Sequence, residues 1–150
     1  MNGTDLTQTR RRWLGVLAAA PAEALADAWA REGDAPPMRY LRAPETGLVM
    51  VRGRMGGTGR RFNMGEMTVT RCAVVAGDTV GHGYVAGRDK RRAEMVARLD
   101  ALLQMDGRRE RLLRDLVEPL AAAQAKARAA TARKAAATKV DFFTLVRGEG

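Results

Sequence analysis

At 150 residues with 46% apolar and only 5% aromatic side chains, the chain has the size of one domain whose core must come from Ala, Leu, Val and Met. Its 26 Lys and Arg against 17 Asp and Glu leave a formal charge of +9. That balance selects anionic partners, whether nucleic acid, phosphorylated metabolites, acidic membranes or an acidic subunit, without choosing among them. A single cysteine, Cys72, excludes an intrachain disulfide or a multi-cysteine metal site and fits a reducing compartment; its strand-like surroundings predict a buried, inert thiol.

Thr9 to Leu14, with three consecutive arginines before Trp13 and an alanine-rich run, imitates a twin-arginine export signal. Helical spacing of Trp13, Val16, Leu17 and Ala20 explains the same residues as a mature helix. Two short helices are predicted, 9–20 and 21–31, the second opened by Pro21 in its first turn, carrying Leu25 and Trp29, and closed by Gly33. Residues 34–37 read as a linker. No stretch approaches the roughly 20 apolar residues of a membrane span.

Between Met38 and Arg88 the pattern becomes short β-rich runs: Met38 to Leu41, Leu48 to Arg54, Met67 to Ala76 and Thr79 to Ala86. They predict a four-stranded antiparallel meander. Gly77-Asp78 is its strongest local signal, a two-residue hairpin turn with positive backbone angles at both positions. Asp89 then caps a helix with the apolar stripe Met95, Val96, Leu99, Leu102 and Leu103, which needs the sheet as its floor. After Asp106-Gly107, Leu112, Leu113, Leu116 and Leu120 mark another helix that Pro119 kinks or restarts. Ala121 to Ala137 is almost entirely Ala, Lys and Arg and predicts a long helix, and Val140 to Arg147 is an apolar, aromatic tail in need of a dock. The fold class expected is α+β: an N-terminal helical pair (1–33), a four-stranded antiparallel sheet (38–88), a covering helix and a long C-terminal helical arm (89–139), and the tail (140–150), all in one domain.

Met55-Gly56-Gly57-Thr58-Gly59 can form an anion-binding nest of convergent backbone N–H groups. Arg52, Arg54, Arg60 and Arg61 flank it, with no acidic residue between Glu45 and Glu66. The segment lacks the Gly-Lys-Ser/Thr ending of a Walker loop and the dinucleotide fingerprint, so a mobile loop with solvated arginines competes with the phosphate reading. His82 is the only histidine, which leaves no His-based metal site or Ser-His-Asp triad to assemble; alternation puts it on one face with Tyr84 as a structural or interface residue. Glu45, Glu66, Asp78 and Asp89 are scattered at expected element ends, and no carboxylate pair reads as catalytic. On the basic helix Lys126, Arg133 and Lys134 fall on one side and Arg128 and Lys139 nearly opposite, so no single phosphate-tracking stripe forms. Ala125, Ala129, Ala132 and Ala136 align instead, which allows close packing against another element; a solvated face, a subunit contact and a nucleic-acid contact are the readings that remain.

Four separated motifs, in order, resemble the PhnG family, small subunits of the bacterial carbon–phosphorus lyase core complex. They are Arg42 to Val49 (RAPETGLV), Arg54 to Gly59 with Arg61-Phe62, Gly87-Arg88-Asp89-Lys90, and Val140 to Thr144 with Val146-Arg147-Gly148; Trp13 and Val16-Leu17-Ala18 fit the family's first helix. The resemblance implies a cytoplasmic subunit working with PhnH-, PhnI-, PhnJ- and PhnL-like subunits in a two-fold complex. That complex joins methylphosphonate to the ribose of ATP with release of adenine, giving ribose 1-methylphosphonate 5-triphosphate. The nucleosidase activity is implied for the PhnI-like subunit and the iron–sulfur radical step for the PhnJ-like one, consistent with a chain too poor in thiolates to ligate a cluster. No catalytic residue and no metal is transferred to this chain, no cofactor is expected on it alone, and ATP enters as substrate of the complex. Its candidate phosphate or interface loop is Arg54, Gly56, Gly57, Thr58, Gly59, Arg60 and Arg61, and its candidate subunit contacts are Arg88, Lys90, Asp141, Phe142, Phe143 and Arg147. The resemblance also places the Arg10–Trp13 run inside the domain and not in an export signal. A basic nucleic-acid-binding module is the alternative, with no membrane partner.

Overall fold

The computed structural model describes residues 2–54 and 59–148, without the side chains of Asn63 and of 140–148. Helix α1 runs from Gly3 to Ala18, several residues earlier than the apolar spacing predicts. The cause is local: the Asn2 side chain accepts from the Asp5 N–H at 2.9 Å and caps the helix. Helix α2 spans Ala22–Ala30, with Pro21 as its N-cap in extended backbone and not in the first turn. Trp13 and Leu17 of α1 and Leu25 and Ala28 of α2 are buried.

Three antiparallel strands follow, β1 (Arg39–Arg54), β2 (Arg61–Ala76) and β3 (Thr79–Ala86), in the order β1-β2-β3. All four predicted strand segments fall in these strands apart from Met38, which precedes β1. The first two are joined through Arg42–Gly47 into the single long β1, whose register against β2 slips between Tyr40 and Arg42 and again between Arg42 and Glu45. Pro44 does not break it because β1 is an edge strand, where a missing N–H costs no ladder bond. The hairpin between β2 and β3 forms as expected, Ala76 pairing Thr79. Only Gly77 (φ +63°) has a positive φ, however; Asp78 does not, the pattern of a turn needing glycine at its first central position alone.

Helix α3 (Lys90–Leu103) starts at the predicted cap, Asp89 accepting from the Arg92 N–H at 3.0 Å. The predicted stripe of Met95, Val96, Leu99, Leu102 and Leu103 is buried, and so are Ala93, Ala97 and Ala101. α3 is therefore an interior helix, floored by β2 and β3 and roofed by α1 and α2. On its floor, Gly81 and Gly83 of β3 let helix backbone lie directly on strand backbone. A Cβ at Gly81 would stand 2.8 Å from the Ala101 nitrogen, and one at Gly83 3.0 Å from the Ala97 nitrogen. Across the roof, Arg92 donates to the Ala20 carbonyl at 3.0 Å and also to that of Ala18, satisfying carbonyls at the end of α1.

Helix α4 (Asp106–Leu112) passes through a π-helical turn (Leu113–Val117) into α5 (Glu118–Gly148). The Glu118 N–H donates to Leu113 O, five residues back. The wide turn sits just before Pro119, whose ring has no N–H to give and crowds the preceding turn; the predicted kink is thus a π-bulge in a continuing helix. α5 spans 31 residues, about 46 Å. It continues through Asp141, Phe142, Phe143 and Arg147, so the expected apolar tail has helical backbone.

Two buried carboxylates tie the helices together. Asp100 of α3, fully buried, accepts from the Arg10 guanidinium (3.1 and 2.8 Å), the Trp13 indole N–H (2.8 Å) and the His82 backbone N–H (2.9 Å). Glu32, after α2, accepts from Arg111 through both oxygens and from Arg108, each at 2.8 Å. Hydrogen bonds from Arg111 first, then those from Arg108, hold the Glu32 carboxyl below the ordinary value of 4.5, against the opposing effect of burial. A depressed folded-state pKa stabilises the fold above 4.5, and that contribution disappears as pH falls through the lower value. The stability this pair contributes should therefore be full and independent of pH near neutrality and decline below pH 4.5; Glu32→Gln should start less stable at neutral pH and lose less on acidification, as melts of both proteins across that range would register.

Candidate functional site

β3 ends at Ala86, opposite Val69 of β2. From there outward, Leu48–Arg54 and Arg61–Thr68 pair only with each other and project as a two-stranded ribbon. Its outer part, Arg61–Glu66, extends β2 beyond the predicted strand start at Met67. Gly65 (φ +150°) forms a bulge here: Val51 faces Gly65, but Arg52 faces Asn63, so Met64 has no opposite residue.

Directly paired residues share a face and successive ones alternate. One ribbon face, continuous with the side of the sheet that packs on α3, therefore carries Leu48 and Met50 at its root and Arg52, Arg54 and Arg61 at its tip. The opposite face carries Val49, Val51, Met67 and Phe62. Met64 joins the latter, since a Cβ on Gly53, the partner of Phe62, would run into the Met64 sulfur and lie 3.5 Å from the Phe62 ring.

The sequence-predicted arginines are thus sorted. Arg54 and Arg61 are direct cross-strand partners, and with Arg52 and Gly53 they line a depression of about 360 Å³. Like charges placed opposite one another are destabilising unless an anion lies between them. None of Arg52, Arg54, Arg60 or Arg61 has a carboxylate partner among the described residues, whereas Arg42 and Arg71 both bond Glu45, at 2.6 and 2.7 Å. Those two hydrogen bonds, Arg42's first, hold the Glu45 carboxyl below its ordinary range. Gly59 and Arg60 are exposed, while Gly56, Gly57 and Thr58 lie outside the described residues. Arg88 and Lys90 are exposed near the ribbon root, next to Gly87, whose N–H donates to Thr68 O at 2.9 Å. Asp141, Phe142, Phe143 and Arg147 belong to the far end of α5 and are not brought to the ribbon's arginines by any described contact.

Other features carry less chemistry. His82 and Tyr84 share the exposed face of β3, as alternation predicts. Glu45 and Glu66 lie inside strands and not at element ends. Cys72 is buried, and burial raises its thiol pKa, which keeps it protonated. A groove of about 660 Å³ between α1 and the start of α5 is rimmed by Arg11, Arg12 and Arg128; its carboxylate, Glu118, is ion-paired to Arg12 at 2.6 Å. Among the described residues no cluster of His, Cys, Asp or Glu could hold a metal, and no helix is long and apolar enough to cross a membrane. Sequence reasoning missed the apolar ribbon face. The alternation Phe62-Asn63-Met64 was a strand signal, but it stood beside a glycine run that read as loop.

The arginine-tipped ribbon is the candidate site. The model of the phosphonate metabolism protein PhnG matches residues 8–148. This chain belongs to the PhnG family. It is 45% identical over 141 residues to the alpha-D-ribose 1-methylphosphonate 5-triphosphate synthase subunit PhnG of Rhizobium meliloti (strain 1021), covering 93% of this chain and 90% of that relative. The PhnG match includes Arg10–Trp13. With Trp13 fully buried and Arg10 bound to Asp100, that run is a structural part of α1, as the resemblance implied.

Proposed function

We propose that this chain is the PhnG subunit of an alpha-D-ribose 1-methylphosphonate 5-triphosphate synthase, acting with PhnH-, PhnI-, PhnJ- and PhnL-like subunits in the cytoplasm. Support for the activity comes from the relative of that name, aligned over 93% of this chain. The complex takes ATP and methylphosphonate, releases adenine and forms the ribose phosphonate triphosphate, and this chain brings no catalytic residue and no cofactor of its own.

The observation that carries the subunit's role is the cross-strand pair Arg54 and Arg61 with Arg52 beside them on one ribbon face. Three guanidiniums on that face form a site for a phosphate-bearing ligand held by a neighbouring subunit, where paired N–H donors meet phosphate oxygens. Arg60 adds a further cation close in sequence to that site, and Arg88, Lys90 and the 141–147 end of α5 make further subunit contacts. Arg54→Ala with Arg61→Ala should leave the complex assembled, since rim charges set encounter rate and register more than affinity, and should lower synthase turnover by about a hundredfold or more, the scale expected for lost phosphate clamps. Full turnover in that assembled variant would remove the phosphate role. The basic-module alternative has no such observation behind it, because no described groove lines up the cations of α5.

A further inference from the structure

We infer that the outer edge of β1 from Thr46 to Met50 is a strand-addition site, where an extended segment of a companion subunit pairs with β1 and lays apolar side chains over Leu48 and Met50. This deepens the subunit reading above and rests on it. The hydrogen-bond ladder shows which backbone groups are free. The Gly87 N–H donates to Thr68 O, so in β2 the alternate residues Thr68, Thr70 and Cys72 bond β3, while Met67, Val69 and Arg71 bond β1. The β1 partners of those three are Val49, Gly47 and Glu45. The residues that alternate with them, Thr46, Leu48 and Met50, turn both N–H and C=O away from the sheet, and among the described residues nothing bonds these backbone groups.

The other edge of the sheet is closed from within. On β3 the His82 N–H donates to Asp100 at 2.9 Å, Val80 O accepts from Gln104 at 2.8 Å and Ala86 O accepts from Arg92 at 3.4 Å, so side chains of α3 and its C-cap stand in for a fourth strand. β1 has no such cover: Thr46, Leu48 and Met50 are exposed, Leu48 at 64% and Met50 at 54%. A solitary chain blunts an open edge with charge or proline. Pro44 and Glu45 do so on one side of this stretch and Arg52 on the other, but residues 46–51 contain neither.

Backbone chemistry identifies the occupant. Free N–H and C=O groups that recur about every 7 Å along one line match the spacing of another extended chain. A second copy would have to pair β1 with itself, because the edge of β3 is closed, and each β1 carries four arginines to one glutamate, which sets like charges across one seam. A strand from a companion subunit avoids that repulsion. It also leads to the arginine site, since Leu48 and Met50 share a ribbon face with Arg52, Arg54 and Arg61; the added strand anchors the neighbour that holds the phosphate-bearing ligand.

The test uses the full chain, alone and assembled with its companion subunits. Hydrogen exchange read residue by residue should slow by about tenfold or more on assembly at the Thr46, Leu48 and Met50 amides, and change less at Gly47 and Val49, which already bond β2. Leu48→Pro deletes an outward N–H without removing a bond to β2 and should weaken assembly by about thirtyfold or more in native mass spectrometry, the range of interface hot spots. Thermal unfolding like that of the wild type would show its fold intact, and Met50→Lys, which puts a charge on the same edge without constraining the backbone, should weaken assembly as well. Unchanged exchange at all three amides, or wild-type assembly of both variants, overturns strand addition while leaving the subunit reading standing. Dimers of the chain alone in which these amides are protected would assign the edge to a second copy and overturn it too. A wild-type chain that joins no companion subunit would sink the subunit reading itself.

Discussion

Gly83→Ala should lower the free energy of unfolding by about 3 kcal/mol, the upper part of the range for overpacked interiors, and Gly81→Ala should do the same. The reason is that α3 lies on β3 with no side chain between them. A methyl at Gly83 would meet the Ala93 carbonyl carbon and the Ala97 nitrogen, both at 3.0 Å, and one at Gly81 the Ala101 nitrogen at 2.8 Å. Backbone cannot rotate away as a flexible side chain can, so either the helix lifts or the strand bends. Lifting the helix would expose Val96, Leu99 and Leu103, which are at most 1% accessible. Gly47→Ala, in the edge strand with nothing within 4 Å of the added carbon, is the control and should change stability by less than about 0.5 kcal/mol. Denaturant unfolding of the three variants decides the matter; a loss below 1 kcal/mol at both Gly81 and Gly83 would mean that helix and strand do not touch in this way.

Asp100→Ala should cost about 3–5 kcal/mol, as expected when one partner of a buried ion pair is removed. The loss has several parts. Arg10 keeps a charge beside the core with its counter-ion gone, and the indole N–H of Trp13 and the backbone N–H of His82 lose their acceptor. Asp100→Asn retains the shape but turns an N–H₂ group toward donors that need an oxygen, so it should lie between the wild type and the alanine variant. Trp13→Phe removes one donor and a little volume and should cost less than Asp100→Ala. Equilibrium unfolding followed by far-ultraviolet circular dichroism measures all three, and an Asp100→Ala domain as stable as the wild type would show that the carboxylate does not join α1, α3 and β3.

Elements whose causes are local could be read from the chain. The Gly77-Asp78 turn, the Asp89 cap and the stripe of α3 each depend on residues within a few positions of one another, and they stand where the pattern put them. Exposed His82 with Tyr84 beside inward Gly81 and Gly83 follows from the period of a strand alone. What escaped is non-local. Asp100 looks like one acid in an apolar helix until α1 brings Arg10 to it across 90 positions, and Glu32 acquires its role only when Arg111 arrives from 79 positions away. The predicted strands stop at Leu41 and resume at Leu48, on either side of Pro44 and Gly47, because nothing nearby in sequence reveals that β1 lies at a sheet edge. The candidate site was half legible: its arginines stood out by charge, but the sorting of Arg52, Arg54 and Arg61 onto one face and Phe62 and Met64 onto the other required the register and its bulge at Gly65.

The measurement that bears most directly on the chain's role is adenine release from ATP and methylphosphonate by companion subunits purified with and without it. Adenine and ribose 1-methylphosphonate 5-triphosphate should appear only when this chain is in the complex, with release restored by adding it back. The same rate of adenine release and product formation in its absence would contradict its assignment as a required subunit of the synthase.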